Sequence, residues 1–219
     1  MAHSQAAKAE THERILRVAA ERLRQTGIDR LSIADLMKEA GLTVGGFYKH
    51  FRSRDDLVVE ALGSVLGAWE RELDESPTEP DEHYFPGLVE RYLSEDHRDN
   101  PGAGCPIGAL VGDVGRSNEP TRELYTKQIR RNIRLLARLL GASPSRRQQA
   151  ILAYSAMLGA IALSRAVSDQ PLSTEILASV KELLVKDASR GPQKKTAKTA
   201  DAVLTRHPRR ATKRNREKT

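Results

Sequence analysis

Cys105 is the only thiol in the 219-residue chain, and it stands between Gly104 and Pro106. A proline there fits the first position of a helix, which puts the cysteine at the N-cap. The helix dipole favours a thiolate at that place, and such a thiol can sense electrophiles or oxidants. His97 and Arg98 precede it closely and can come near. The competing reading is a small, inert cysteine buried in a cavity wall, and the sequence leaves both open. One cysteine excludes a disulfide framework and a multi-thiolate zinc site within the chain, so no metal and no cofactor are expected. No activating histidine is in register with it and no oxyanion loop is visible, so the expectation is a protein that is not an enzyme.

A second group lies in residues 32–54. Ser32 can cap a helix, with Asp35 answering from the third position. Leu36, Met37 and Ala40 give that helix an apolar side, and Gly41 ends it. A third short helix is predicted over Thr43–Lys49, across a turn in which Gly41 takes a left-handed backbone and Leu42 plugs the core. This is helix-turn-helix spacing. Gly45 and Gly46 are costly inside a helix, at roughly 1 kcal/mol each against alanine. A compensating reason is close backbone approach, in a reading helix to the major-groove floor or a phosphate.

The elements around these residues read as all-α. Ile15, Leu16, Val18, Ala19 and Leu23 recur at helical spacing before Gly27, and Ser53 opens a fourth helix running through Leu57, Leu62, Leu66 and Trp69. From 105 to 189 the chain is helical nearly throughout. Pro106, Pro120 and Pro144 mark first helical positions after Cys105, Glu119 and Ser143. Leu124, Ile129, Ile133, Leu136 and Leu140 form one apolar stripe; Ile176, Leu177, Val180, Leu183 and Leu184 form another. The longest uncharged run, Gln148–Ser164, is interrupted by two Gln, two Ser and one Gly, and reads as a buried or interfacial helix more than a membrane span. The N-terminus has no apolar run of the secretory kind, so a cytoplasmic protein is expected.

Charge is partitioned sharply. The total of +7 includes a tail, residues 190–219, with 11 Lys/Arg against 2 acidic residues. Residues 1–55 carry 10 basic against 7 acidic side chains, and residues 56–100 only 3 against 13. A polyanion would therefore meet the N-terminal end and be repelled by the middle. The tail, poor in large apolar residues, is expected to be disordered and to add salt-dependent attraction to phosphates.

The stretch from Glu13 to Leu62 resembles the TetR (TetR/AcrR) family of transcriptional regulators. Its strongest segment is Ala40-Gly-Leu-Thr-Val-Gly-Gly-Phe-Tyr-Lys-His-Phe51, followed by Ser53-Arg-Asp-Asp-Leu57. Tyr92-Leu-Ser, His97-Arg-Asp, Gly104-Cys-Pro-Ile-Gly-Ala-Leu and Asp113-Val-Gly-Arg116 look like one subgroup, some members of which use a cysteine in this region as a sensor. Two departures stand out. Met37 replaces a small alanine, and Gly46 replaces a Ser/Thr hydroxyl used on phosphate.

The resemblance implies an N-terminal helix-turn-helix DNA-binding domain and a C-terminal helical domain for ligand binding and dimerisation. The expected bounds are 1–9 disordered, 10–55 reading domain, 56–189 effector and dimer domain, and 190–219 basic tail. Carried over, Ser32 and Thr43 cap helices and donate to phosphate, Tyr48 sets its hydroxyl on the backbone, and Arg54 joins its charge to a helix N-terminus aimed at DNA. Val44, Gly45 and Lys49 face base edges, Gly46 lies beside them, and His50 is ambiguous; Phe47 and Phe51 are core. The effector pocket draws on Trp69, Phe85, Leu88, Tyr92, Leu110, Tyr125 and Met157, with Cys105 as candidate sensor. Dimerisation falls on the last helix pair, where Ala156, Gly159, Ala160 and Ala162 allow close approach. The partners implied are a pseudo-palindromic double-stranded operator, a small-molecule or electrophile effector and a second copy of the chain, with no membrane. The function implied is a dimeric regulator, a repressor released by a ligand or by modification of Cys105. A non-specific architectural DNA binder driven by the tail is the alternative.

Overall fold

The computed structural model describes residues 2–74, 83–141 and 145–189, with side chains over 5–67, 83–141 and 145–188. The basic tail, Pro144 and the side chain of Trp69 lie outside the described residues. Every regular element among the described residues is helical.

Helix α1 spans Ala2–Thr26, so the expectation of disorder over 1–9 is corrected. Periodicity marks only where α1 starts to bury a face, at Ile15 and Leu16. The preceding Ala6-Ala-Lys-Ala-Glu10 is exposed and helical because its residues are strong helix formers. Gly27, at φ +86°, stops the helix. Helix α2, Ile33–Glu39, begins as expected with the Asp35 amide donating to Ser32 Oγ at 3.3 Å. Gly41 then turns the chain at φ +71°, and the Leu42 amide donates back to the Met37 carbonyl at 2.8 Å.

The next element, Val44–Lys49, is a 3₁₀ helix, not an α-helix. Six residues including two glycines have too little propensity for a full α-turn series, and the tighter form suits short pieces. Its inner side is fixed by Phe47, whose ring lies 5.4 Å from that of Phe51. Helix α3, Arg54–Asp74, opens with the Asp56 amide donating to Ser53 Oγ at 3.0 Å. It runs straight across the boundary expected at 55/56 and packs on α1, so both halves of the chain share one core.

The remaining helices are α4 (Tyr84–Tyr92), α5 (Glu95–Asp99), α6 (Pro106–Val114), α7 (Glu119–Leu139), α8 (Arg146–Ala166) and α9 (Gln170–Ser189). Asn118, not Glu119, caps α7, accepting from the Thr121 amide at 3.0 Å. Helix α6 lies among α1, α7 and α8; α8 packs on both α7 and α9. Helix α8 is long and apolar enough to cross a membrane by composition alone, but Ala150, Ala153, Met157, Ala160 and Ile161 are buried in the protein core. Its other side keeps Leu152 67 % exposed and Leu163 57 % exposed, matched on α9 by Leu183 at 67 %.

Gly41 offers a clean test of the turn. A Cβ added there would meet nothing within 4 Å, so Gly41→Ala costs only the left-handed backbone. Urea unfolding is expected to show a loss of roughly 1–2 kcal/mol; an unchanged midpoint would contradict it.

Candidate DNA interface and ligand cavity

The outer side of the 3₁₀ helix is exposed: Val44 at 49 % and Tyr48 at 70 %, with Gly45 and Lys49 beside them. A Cβ at Gly45 would meet nothing within 4 Å, so the glycine leaves open space for a partner's surface. Gly46 faces inward. A Cβ there would lie 3.7 Å from Met37 Cε and 3.8 Å from Thr43 Oγ1. The two departures, Met37 and Gly46, are neighbours, and a Cβ at 46 would meet the Met37 methyl at ordinary van der Waals distance.

Three site residues sit differently from expectation or more narrowly. Thr43 holds the N-cap position but its hydroxyl makes no cap bond; the Gly46 amide donates instead to the Thr43 carbonyl, at 2.9 Å. Arg54 does not point at a polyanion. Its Nε donates to the Leu31 carbonyl at 3.0 Å and its Nη2 to the Ile28 carbonyl. Residues 28–31 make the corner between α1 and α2, and their carbonyls lack helical partners; the guanidinium supplies them. His50 is half-buried, its ring 5.8 Å from that of His12 and 6.3 Å from that of Phe51. Burial, then His12, Lys8 and Lys49, push its pKa down, so its imidazole serves packing as a neutral ring.

In the C-terminal half a cavity of about 320 Å³ opens between α4, α5, α7 and α8. Leu88, Leu135, Leu136 and Met157 give it apolar walls, and Tyr92, Asn132 and Tyr154 add polar groups. The loop 100–105 closes one side through Asn100, Ala103, Gly104 and Cys105. Leu88, Tyr92, Cys105 and Met157 thus line it as expected. Phe85, Leu110 and Tyr125 do not: all three are buried in the core, and Tyr125 donates its hydroxyl to the Pro106 carbonyl at 2.9 Å.

Cys105 holds the N-cap of α6 and is buried there. Burial pushes the thiol up; the Gly108 and Ile107 amides and the Tyr92 hydroxyl oppose it only in part. His97 does come near, but as a structural ring. Its Nδ1 donates to the Tyr92 carbonyl at 2.6 Å, and its Nε2 accepts from the Cys105 amide at 3.0 Å. Those partners require the neutral tautomer, and burial lowers its pKa accordingly. With both nitrogens engaged, His97 offers the thiol no base.

The comparisons bear on both halves. Residues 15–61 match the family described as bacterial regulatory proteins, tetR family. That stretch is similar to the family's N-terminal DNA-binding domain and makes up about a fifth of the chain. A curated relative, an uncharacterized HTH-type transcriptional regulator YvdT of Bacillus subtilis (strain 168), is 40 % identical over 55 residues, covering 25 % of this chain and 28 % of that one. Shared fold extends much further. The reduced form of E. coli NemR aligns with TM-score 0.68 at 24 % identity, over 81 % of this chain and 96 % of that one. A TetR transcriptional regulator from Chloroflexus aurantiacus aligns with TM-score 0.70 at 21 % identity, over 87 % and 98 %.

Within this TetR-family fold the two halves meet at the end of α1. Arg24 Nε donates to the Gly102 carbonyl at 2.6 Å, and the Ile28 amide donates to Asp113 Oδ2 at 2.9 Å. The loop that walls the cavity and the far end of α6 therefore hold the same corner that Arg54 holds from α3.

Sequence reasoning missed Gln128 and Asn132, both buried on α7. They fall at helical spacing with Tyr125, Leu135 and Leu139, and that register is the signal in the sequence.

Arg54→Ala is expected to destabilise the protein by about 1–3 kcal/mol, because two carbonyls lose a charged donor, while the salt dependence of DNA binding keeps its slope. A shallower slope with unchanged stability would restore the phosphate role. Iodoacetamide should alkylate Cys105 in the folded protein slowly near neutrality, with a rate still rising above the ordinary thiol pKa of 9.0; a rate levelling off near pH 7 would contradict the buried, protonated thiol.

Proposed function

We propose that the protein is a DNA-binding transcriptional regulator acting as a homodimer, a repressor released when a small molecule fills the cavity. The observation that carries this reading is the exposed face Val44-Gly45-Tyr48-Lys49 on a helix pinned by Phe47 and Phe51. Val44 suits a thymine methyl, Lys49 a guanine edge or phosphate, and Tyr48 and Thr43 carry hydroxyls suited to phosphate. Ser32 contributes its cap and lies at the same end. A reading helix addresses one half-site, so specificity calls for two copies. The exposed apolar side chains Leu152, Leu163, Leu172 and Leu183 on α8 and α9 support pairing there, continuous with Gly159, where a Cβ would meet nothing within 4 Å.

Release follows as a population shift. A ligand that favours a moved 100–105 loop or α6 pulls on Arg24 and Ile28, and so on the corner carrying α2 and the reading helix. Two heads reset in this way no longer match the half-site spacing. A covalent route through Cys105 is a second reading, supported by its place in the cavity wall. The raised thiol pKa makes it slower than the non-covalent one.

Sequences selected from a random duplex pool should be inverted repeats. By fluorescence anisotropy on the selected site, Lys49→Ala is expected to reduce the salt slope by about 1, and Tyr48→Phe to weaken binding. Unchanged affinity in both variants, or loss of all binding on deleting 190–219, would favour the tail-driven architectural binder instead.

A further inference from the structure

The cavity wall contains a buried, directional chain of hydrogen bonds. Gln128 Nε2 donates to Asn132 Oδ1 at 2.8 Å, and Asn132 Nδ2 donates to the Tyr154 hydroxyl oxygen at 2.9 Å. All three side chains are buried, at 3 %, 9 % and 7 % exposure. Each link consumes an acceptor and passes a donor onward. At its end Tyr154 has accepted a hydrogen bond and still carries its own proton. The Asn132 amide holds a second N–H beyond the one given to Tyr154. Asn132 and Tyr154 both line the cavity, so its polar corner presents donors.

The phenol is not an anion in disguise. Burial pushes the Tyr154 pKa well up, and the Asn132 bond offsets this only in part. Around the corner the walls are Leu135, Leu136 and Met157. The charged residues of the lining, Arg91 and Asp96, are exposed and of opposite sign. A buried full charge would lack a partner inside, whereas a neutral acceptor meets its needs there.

We propose that the effector is an uncharged, largely apolar molecule with a carbonyl oxygen, seated so that its lone pairs receive the Tyr154 O–H and an Asn132 N–H. A carbonyl has two lone pairs and no donor, which complements two neighbouring donors, on atoms 2.9 Å apart. The volume, equivalent to roughly ten waters at ~30 Å³ each, suits a molecule of one or two rings. The sequence showed Asn132 as an ordinary polar helix residue; its recognition role comes from the bond to Tyr154, one helix away. This inference rests on the cavity being the effector site.

The test uses the full chain and three matched two-ring probes: benzophenone with a carbonyl, diphenylmethane without one, and diphenylacetate with a charge. Binding is measured by isothermal titration calorimetry on wild type, Tyr154→Phe and Asn132→Leu, each checked for helicity. Expected is benzophenone binding at least tenfold tighter than either other probe, with the preference over diphenylmethane lost in whichever variant folds. Equal binding of ketone and hydrocarbon, a preference that survives both substitutions, or tightest binding by diphenylacetate would each overturn the proposed ligand class and leave the cavity as a ligand site. No binding by any probe would overturn the cavity reading itself, and the proposal with it.

Discussion

The corner at residues 27–31 is the constraint on which the rest of the molecule depends. Gly27 turns the chain out of α1, and the polar backbone of the corner is then satisfied from two directions, with a third tie at the end of α1. Arg54 at the start of α3 serves the Ile28 and Leu31 carbonyls, Asp113 at the end of α6 serves the Ile28 amide, and Arg24 within α1 reaches the Gly102 carbonyl. A Cβ on Gly27 would fall 2.6 Å from Asp113 Oδ2, so the glycine is needed for close approach as well as for its backbone. The C-terminal helices reach the N-terminal ones through this point and through α3, which packs on α1, α6 and α7.

This arrangement leaves no linker between the N-terminal and C-terminal helices among the described residues. Helix α3 begins in the first set and continues into the second, and the buried apolar cluster runs from Ile15 to Leu177 without a break. Such packing gives a rigid relay, in which small shifts in α6 or the 100–105 loop are not absorbed by a flexible joint. Arg24 sharpens the point. One of its guanidinium nitrogens is buried without a partner, and burial lowers its pKa, so the contact with Gly102 is held under some electrostatic cost.

Much of this was legible in the sequence, for physical reasons that differ from part to part. Ser32, Gly41, Phe47 and Phe51 act locally, through capping, backbone sign and periodic burial, so their types and spacing sufficed. The sequence left two readings of Cys105 open because the helix dipole is a short-range bonus, whereas desolvation depends on what packs around the thiol from distant α4 and α8. The partners of Arg54 within the chain, the carbonyls at 28 and 31, are likewise invisible in a motif centred on residues 40–57. Gln128 and Asn132 were hidden by residue type, since a polar side chain on a long basic helix is solvent-facing unless a partner such as Tyr154 is supplied by another element.

Coupling between cavity and corner is the central claim, and the Ile28 amide reports on it directly. Ile28 lies in the corner between α1 and α2, and its amide proton is held by Asp113 of α6. Hydrogen exchange resolved to that amide, with and without a cavity-bound ketone such as benzophenone, separates the possibilities. Faster exchange at Ile28 on ligand binding is the result this account predicts. Unchanged exchange at Ile28, while amides of α7 and α8 around the cavity become protected, would contradict it.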